Sequence, residues 1–415
     1  MKIFSGLLNE FIYFYPMIMS IIWTFGGLIF FFRREQENNA LLPTTSSPFF
    51  SIIVPCHNEA AHIAKTARHL LTLNYPSYEI IFVDDGSRDR TREEIRLLCK
   101  EHPRIRGIYL DQNQGKASAL NVGCLAAKSE LLVTMDADAL LDRNALHYLA
   151  HHFIRYPRVG AVTGNPRVLN RTTLLAKIQV GEYATIIGLI KRSQRLLGKV
   201  LTVSGVLAAF RRSALLSVGF WDTDMLTEDI DITWKLEKNF WDIRYEARAL
   251  CWILVPETIS GLWRQRLRWA EGGIQVLCKH KDIWSNWEQR RLWPVYVEFI
   301  ISIFWSYAFW AFVLLWLVQL AFGTGLPIQV APLIPPRWTG AILAITCLFQ
   351  FCVSLLIDHR YEKNMLKYLF WVIWYPFAYW MINSLTQVVA TPRALLRQLG
   401  QRRRAVWTSP DRGLG

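Results

Sequence analysis

The sequence predicts an α/β domain with a mainly parallel sheet, joined to interface helices and to transmembrane helices. Between about residues 49 and 258, short apolar runs typical of buried strands alternate with amphipathic helical patterns. Long uncharged runs lie on both sides of this region. The chain has 52% hydrophobic residues, above the share of about 45–50% that is usual in soluble proteins. These observations exclude a disordered, a collagen-like and a fully soluble protein.

The first uncharged run covers residues 11–32 and is long enough to cross a hydrocarbon core of about 30 Å. Arg33 and Arg34 follow it directly, and no small-residue cleavage site precedes them. Because basic residues collect on the cytoplasmic side of membranes, we predict an uncleaved transmembrane anchor over residues 1–34, with its C-terminal end in the cytosol.

Three later apolar runs, at about 300–322, 338–357 and 368–389, predict a C-terminal transmembrane cluster over residues 299–389. A basic tail follows over residues 390–415. If all three runs cross, this tail lies outside, which conflicts with the positive-inside rule. Pro376 interrupts the last run, so the sequence also allows a re-entrant or interfacial segment there.

The formal net charge of +14 fits a membrane protein with a basic cytoplasmic face. Nucleic acid is not expected as a partner, because the chain carries no motif that reads bases. Seven cysteines without CxxC spacing exclude a disulfide framework and a zinc site.

The predicted domain over residues 49–258 begins with four short strands, each followed by a helix. Its strands are expected at 51–54, 79–83, 105–110 and 131–135, and its helices at 60–74, 88–101, 116–128 and 144–156. Such sheets bind ligands at the carboxyl ends of their strands. The residues that follow each strand are therefore the candidates for function.

Polar clusters follow three of these strands. The first strand is followed by the segment from Pro55 to Glu59, the second by Asp84 and Asp85, and the fourth by Asp136 and Asp138. Helix capping is the alternative explanation for single polar residues at such turns, but it explains paired carboxylates poorly.

Asp136 and Asp138 are two positions apart, so they point the same way on extended backbone. Two carboxylates on one side are a hard oxygen site, which predicts Mg²⁺ or Mn²⁺. An EF-hand is excluded because Leu141 stands where that loop requires glycine.

Gly115 and Lys116 open the third predicted helix, whose N-terminus is a candidate diphosphate site. An exposed lysine on a first helical turn is the alternative. No GxGxxG follows the first strand, which disfavours a dinucleotide-binding domain.

Two more motifs lie downstream. Glu228 and Asp229 follow Thr227 in an acidic stretch that runs from Asp222 to Asp231. In the predicted interface helices over residues 259–298, Gln265 and Trp269 share one helical face.

Arg268 lies beside that face. An aromatic ring near a guanidinium and an amide can hold a sugar and a phosphate. An amphipathic helix at the membrane surface is the alternative, and both descriptions can apply at once.

Taken in order, these motifs resemble those of the processive synthases of glycosyltransferase family 2, such as the cellulose, hyaluronan and chitin synthases. Further phrases resemble the bacterial poly-β-1,6-N-acetyl-D-glucosamine synthases, namely residues 159–167, 256–258, 261–263 and 409–413. The resemblance covers nearly the whole chain. It implies a Rossmann-like GT-A fold, UDP-GlcNAc as the donor, and inverting polymerisation coupled to export at a bacterial inner membrane, with the catalytic domain in the cytosol.

The resemblance also implies roles for individual residues. The nucleotide-sugar would be held by Pro55, Glu59, Asp85, Lys116 and Asp136. Asp138 would bind the metal, and Asp229 would be the general base beside Glu228. The diphosphate and the acceptor sugar would be contacted by Gln265, Arg268 and Trp269. Related synthases often have a different residue at the position of Asp84, so the prediction rests on Asp85.

The implied partners are UDP-GlcNAc, the growing polysaccharide, the lipid bilayer and a small membrane subunit, with possible control by cyclic di-GMP. The basic run over residues 191–195 could serve such a regulator, or could be a lipid-facing or solvated surface. Another membrane enzyme of family 2 and a nucleotide-regulated translocator without transferase activity remain alternatives. The paired carboxylates speak against a translocator without activity.

Overall fold

The computed structural model of this chain describes residues 2–35, 47–322, 338–375 and 379–399. Within these ranges one sheet has the strands β1 (Phe50–Cys56), β2 (Tyr78–Asp85), β3 (Ile105–Leu110), β4 (Leu131–Met135), β5 (Leu140–Leu141), β6 (Val159–Val168), β7 (Leu207–Arg211) and β8 (Asp242–Ile253). The spatial order is β3-β2-β1-β4-β7-β6-β8-β5.

The sheet is parallel through its first four strands in space and mixed beyond them. Strands β1, β2, β3 and β4 pair in parallel, whereas β7 runs antiparallel to both of its neighbours. Strand β8 is again parallel to β6, and the short β5 is antiparallel to β8. The four predicted strands are all present, so the predicted fold class is confirmed.

The helices of the domain are α2 (Ala60–Leu70), α3 (Thr91–Glu101), α4 (Lys116–Ala126), α5 (Ala145–Arg155), α6 (Leu174–Glu182), α7 (Ile190–Leu197), α8 (Arg212–Ser217) and α9 (Glu228–Lys238). They cover both faces of the sheet, because alternate strand residues point to opposite sides. Ile52 and Ile80 pack with α2 and α5, while Ile53 and Ile81 pack with α4 and α9. A π-helical segment, Tyr183–Leu189, joins α6 to α7.

Outside the sheet lie α1 (Lys2–Phe30), α10 (Ile259–Lys279), α11 (Trp293–Phe322), α12 (Trp338–His359), α13 (Leu369–Val372) and α14 (Trp380–Leu399). In the described ranges, three helical stretches are long and apolar enough to cross a membrane: Leu8–Glu35, Trp293–Phe322 and Gly340–His359. The first of the two later stretches begins at Trp293, before the predicted domain boundary at residue 299.

The last apolar run is divided into two helices. The sequence allowed either a membrane span or a re-entrant or interfacial segment there. Helix α13 ends at Val372 and α14 starts at Trp380, and Pro376 lies outside the described residues. Helix α14 packs along α10, where Arg397 pairs with Glu271 at 2.9 Å. The start of the basic tail therefore lies beside α10, and the described residues contain no fourth spanning helix.

A buried network of ion pairs joins the α/β domain to the membrane helices. Asp358, at the end of α12, accepts from Arg167 of β6 at 2.5 Å and from Arg192 of α7 at 3.2 Å. Arg192 also binds Glu35 through its Nε, at 2.7 Å. Tyr361 donates to the same Glu35 carboxylate at 2.5 Å. Four separate parts of the chain are held by these contacts.

The basic run over residues 191–195 contributes directly to this junction. Lys191 is 5% exposed and Arg192 is fully buried. The surface interpretation of the run is therefore wrong for these two residues. The prediction failed because Arg192 pairs with Glu35 and Asp358, which are distant in sequence, and a local charge pattern does not reveal such partners.

We expect Asp358→Asn to destabilise the protein by about 3–5 kcal/mol, because it leaves two arginines partly unpaired in a buried site. Thermal or denaturant unfolding of the detergent-solubilised protein measures this change. Asp282→Asn is the matched control, because Asp282 is exposed in its pair with Lys238 and should cost less than about 1 kcal/mol. Equal small losses in both variants would contradict the assigned importance of the buried network.

Candidate active site

The predicted nucleotide-binding residues lie at one edge of the sheet. Strands β1 and β2 are in register, with Pro55 opposite Val83, and β4 pairs with the other side of β1. The segment after β1, the end of β2 and the end of β4 are therefore neighbours. Glu59, just before α2, is 1% exposed. The fold brings these residues together, while their contacts with a nucleotide remain predictions.

Asp85 organises the loop that leads into α4. Its two carboxylate oxygens accept from the backbone N–H groups of Gln114 and Gly115, each at 2.8 Å. Burial raises the pKa of Asp85 despite these hydrogen bonds. Asp84 is instead used for structure, since Arg92 donates to it at 2.9 Å. The contact of Asp85 with a nucleotide stays a prediction.

His57 belongs to the same corner, and the sequence placed it in the polar segment after β1 without giving it a role of its own. Its Nδ1–H donates to the backbone carbonyl of Asp85 at 2.8 Å, because a carbonyl can only accept. Its Nε2 then accepts from the side-chain amide of Asn113 at 3.1 Å. The imidazole links the segment after β1 to the end of β2 and to the loop before α4.

Lys116 is the central cation of the site. Its Nζ lies 2.6 Å from Asp136 Oδ1, 3.3 Å from Glu228 Oε1 and 3.0 Å from the carbonyl oxygen of Gly205. Burial opposes its charge, but the Asp136 and Glu228 carboxylates outweigh burial and raise the pKa of Lys116. The alternative of an exposed lysine is therefore excluded.

The candidate metal ligands follow β4. Asp136 is held by Lys116, and Asp138 is half-buried beyond it. Among the described residues, no group of three or more acidic, histidine or cysteine side chains is arranged around a possible metal position. Two carboxylates still suit Mg²⁺ or Mn²⁺ when a nucleotide supplies phosphate oxygens, because Mg²⁺ usually keeps only one or two protein carboxylates.

Asp229 lies in the first turn of α9, beside Glu228. Burial and the negative charge of Glu228 raise the pKa of Asp229 to about 6, while the charge of Lys116 acts in the opposite direction. A carboxylate with this pKa is mostly ionised at neutral pH and is more basic than an ordinary aspartate. The backbone of Gly205 lies over it, since a methyl group there would be 3.0 Å from Asp229 Oδ2.

Helix α10, which carries the motif from Gln265 to Trp269, packs beside the first turn of α9, which carries Asp229. A methyl group at Gly272 would lie 2.4 Å from the Thr227 side chain, so glycine permits the close approach of the two helices. Gln275 also accepts from the backbone N–H of Leu226 at 3.1 Å. Arg268 is exposed, and its charge lowers the pKa of Asp229, although less than burial raises it.

Trp269 is half-buried, and one of its faces is occupied. The guanidinium carbon of Arg266 lies 4.2 Å from its ring centroid, and Arg266 donates to the buried Glu182 at 2.7 Å. A sugar that stacks on this indole, as the sequence predicts, would have to use the opposite face. Arg266 was not among the predicted residues, although its spacing of three residues from Trp269 could have indicated the contact.

Tyr183 interacts electrostatically with two parts of the candidate site, the pair of Glu182 and Arg266 and the acidic residues after β4. Burial is the main cause that raises its pKa, and the carboxylates of Glu182, Asp136 and Asp138 add to this effect. Tyr183 therefore lies within electrostatic range of both Glu182 and the strand end that carries the candidate metal ligands, while the Arg266 guanidinium lowers its pKa.

The chain is similar to known glycosyltransferases. The glycosyl transferase family 2 profile matches residues 51–219. The poly-β-1,6-N-acetyl-D-glucosamine synthase of Staphylococcus epidermidis is 43% identical over 413 residues, which are 97% of this chain and 98% of that protein. The chain belongs to this synthase family.

A second relative and a solved structure agree with the assignment. The synthase of the same name from Staphylococcus aureus strain COL is 42% identical over 97% of this chain and 98% of its own length. A mannosyltransferase of Pyrobaculum calidifontis, solved with GDP-Man and Mn²⁺, superposes with a TM-score of 0.60 at 22% identity, over 92% of this chain and 98% of that chain. The predicted glycosyltransferase fold is thereby confirmed, and the chain is an enzyme of glycosyl transfer.

We expect glycosyl transfer to be lost as the pH falls through about 6, because Asp229 can accept a proton only when it is ionised. Glu228→Gln removes a neighbouring negative charge and should move this acid limb to lower pH. The measurement is kcat/KM between about pH 5 and 8. Glu130→Gln, at an exposed position, is the control and should leave the limb in place. An unmoved limb in Glu228→Gln would show that Asp229 does not set it.

Proposed function

We propose that this protein is a membrane-embedded, processive and inverting glycosyltransferase. It polymerises N-acetylglucosamine from UDP-GlcNAc into β-1,6-linked poly-N-acetylglucosamine, a polysaccharide of biofilms. The observation that carries this proposal is the convergence of Lys116, Asp136, Glu228 and Asp229 beneath α10, in a chain 43% identical to a synthase of this product.

The donor would lie across the strand ends. Its uridine would be held by Pro55, Glu59 and Asp85, where buried carboxylates and a fixed loop favour a single orientation. The diphosphate would face the exposed guanidinium of Arg268. Charge-assisted hydrogen bonds to a phosphate are stronger than neutral ones, and arginine can form two at once.

A divalent cation fits the residues after β4. Asp138 would bind it directly, with Asp136 next to the nucleotide. When bound, Mg²⁺ or Mn²⁺ supplies positive charge that stabilises the diphosphate leaving group. Lys116 keeps Asp136 in position from the protein side, at 2.6 Å.

Transfer would be a single displacement. Asp229 takes the proton of the acceptor hydroxyl as its oxygen bonds to the donor C1, while the bond from C1 to UDP breaks and UDP leaves with the electron pair. Attack opposite the leaving group inverts the anomeric centre. The pKa of about 6 allows Asp229 to be ionised before the reaction and to hold the proton after it.

The acceptor path would run between α10 and α14. Four buried polar atoms there have no hydrogen-bond partner among the described residues: Gln265 Oε1, Tyr379 Oη, Asn383 Oδ1 and Gln387 Nε2. The last three residues are spaced by four and so share one face of their helical segment. An unsatisfied buried polar group costs about 1–3 kcal/mol, and the hydroxyl and amide groups of a polysaccharide could satisfy it. This path would couple synthesis to export.

The proposed location is the bacterial inner membrane, with the catalytic domain in the cytosol. Three crossings, without a fourth in α14, would leave the basic tail on the cytosolic side, which removes the conflict with the positive-inside rule. A small membrane subunit and control by cyclic di-GMP remain part of the proposal through the family resemblance alone.

The metal proposal is tested with Asp138→Ala. We expect synthesis to fall by at least about a hundredfold, in line with the loss of one charge stabiliser, and Mn²⁺ binding measured by electron paramagnetic resonance to be lost with it. Excess chelator should have the same effect on the unmodified enzyme. Asp111→Ala, at an exposed position, is the control. Full activity in excess chelator would contradict the metal proposal.

The product is tested by incubating membranes with labelled UDP-GlcNAc and digesting the polymer with a hydrolase specific for β-1,6-linked GlcNAc. Digestion is expected. Asp229→Asn should keep UDP binding and reduce polymer formation by about two to four orders of magnitude, because it removes the proton acceptor. A polymer resistant to this hydrolase would indicate another family 2 synthase, and a labelled lipid carrying one sugar would indicate a lipid transferase.

The acceptor path is tested with the double variant Asn383→Leu and Gln387→Leu. We expect shorter polymer on gels, with the initial rate of UDP release within about twofold of the unmodified enzyme, because the polar contacts to the growing chain are lost. Gln398→Leu, on an exposed part of α14, is the matched control. Polymer of normal length in the double variant would place the path elsewhere.

A further inference from the structure

Lys191 is a buried lysine that the proposed mechanism does not use. It lies near the start of α7 and is 5% exposed. Its Nζ donates to the hydroxyl oxygen of Thr163, on β6, at 3.2 Å. A buried ammonium group is costly unless opposite charge and hydrogen bonds compensate for the lost water. One hydrogen bond to a neutral hydroxyl compensates only in part, so a carboxylate is expected nearby.

That carboxylate belongs to Asp229. Its negative charge raises the pKa of Lys191, but burial has the larger effect and lowers this pKa to about 7. Lys191 is therefore mostly protonated near pH 6, where Asp229 changes its charge. Two other cations act on Asp229, namely Lys116 of α4 and Arg268 of α10. The opposing negative charge is Glu228, on the same helix as Asp229.

Thr163 links Lys191 to the backbone that lies over Asp229. The hydroxyl oxygen that accepts from Lys191 also accepts from the backbone N–H of Ser204, at 2.8 Å. The next residue is Gly205, where a methyl group would lie 3.0 Å from Asp229 Oδ2. One buried hydroxyl group therefore fixes both the lysine and the segment that covers the carboxylate.

The segment over the carboxylate, residues 203–205, has two further attachments. Val203 donates its backbone N–H to Thr233 Oγ1 at 2.9 Å, and the Thr233 hydroxyl donates to the carbonyl oxygen of Asp229 at 2.5 Å. Lys116 donates to the carbonyl oxygen of Gly205 at 3.0 Å. The segment carries no titratable side chain, so its effect on Asp229 comes from its position.

We propose that Lys191 is a positioning residue for glycosyl transfer, which holds segment 203–205 against Asp229 through Thr163 and favours the ionised carboxylate by its charge. Both Lys191 and Thr163 act through Asp229 and are not themselves catalytic residues. This inference rests on the proposed function, in which Asp229 is the general base.

The charge is tested with Lys191→Met, which keeps most of the apolar stem. We expect the acid limb of kcat/KM to move up by about one pH unit, because a carboxylate without its neighbouring cation is harder to ionise. Lys177→Met is the matched control, since Lys177 is half-buried on α6 with its Nζ 4.7 Å from the ring centroid of Trp371. The control should leave the limb in place. An unmoved limb in Lys191→Met, or equal shifts in both variants, would overturn the electrostatic role.

The position of the segment is tested with Thr163→Val, which has nearly the same shape without the hydroxyl group. We expect kcat to fall by about tenfold to a hundredfold, with the KM for UDP-GlcNAc within about twofold, because a misplaced base affects the transition state and not donor binding. Thr163→Ser keeps the hydroxyl and should stay within about threefold of the unmodified kcat. Thr24→Val is the control, since Thr24 is a buried threonine of α1 whose hydroxyl donates to the carbonyl of Ser20 at 2.7 Å.

Thermal unfolding and UDP binding of every variant check that it folds. Equal losses of kcat in Thr163→Val and Thr163→Ser, or a normal kcat in Thr163→Val, would overturn the positioning role. Asp229→Asn separates this inference from the proposed function. If Asp229→Asn keeps its turnover, the base assignment itself is wrong. If Asp229→Asn is inactive while Lys191→Met and Thr163→Val behave as their controls do, the base stands and only the role of Lys191 is wrong.

Discussion

The structure depends on one buried carboxylate, Asp358. It stands between two arginines, and through Arg192 it is linked to Glu35 at the end of the first membrane helix. A buried charge is tolerated only where opposite charges and hydrogen bonds compensate for the loss of water. The relative position of the membrane helices and the sheet is therefore limited to arrangements that keep this set of pairs complete. Gly26 and Gly27 also let α1 lie close to the helical segment that contains Leu189 and Ser193, because a methyl group at either glycine would clash with these residues.

A continuous helical segment links this ion-pair network to the candidate active site. Arg192 lies on α7, which the π-helical stretch joins to α6, and α6 ends at Glu182. Glu182 in turn holds Arg266, and Arg266 stacks on Trp269. Two sets of buried ion pairs on one run of helix thus position the membrane helices at one end and the predicted sugar-binding motif of α10 at the other. Since Gly272 of α10 lies against Thr227, the helix that carries Trp269 also packs on the residue that precedes Glu228 and Asp229.

The parts that were predictable from sequence are those whose signal is local. Strands β1 and β2 are buried on both faces, so they appear as continuous apolar runs, and the polar residues after them mark the functional edge. Lys116 shows what a local sequence pattern cannot predict. Its environment comes from Asp136 and Glu228, which are distant in sequence, so a first-turn lysine could not be distinguished from an exposed one. The basic run at residue 191 was misjudged for the same reason, and the role of His57 required the fold as well.

The motif on α10 shows how one short segment serves two purposes. Successive residues of a helix are turned by about 100°, so Gln265 and Arg266 point to different surroundings. Arg266 points to Glu182 and forms a buried ion pair with it. Gln265 has an Oε1 atom without a hydrogen-bond partner in the described part of the chain. Arg268 stays exposed within range of Asp229. Because Glu182 fixes Arg266, the Arg266 guanidinium covers one face of the Trp269 ring. Under the proposed function, this packing would set the side from which the acceptor reaches Trp269.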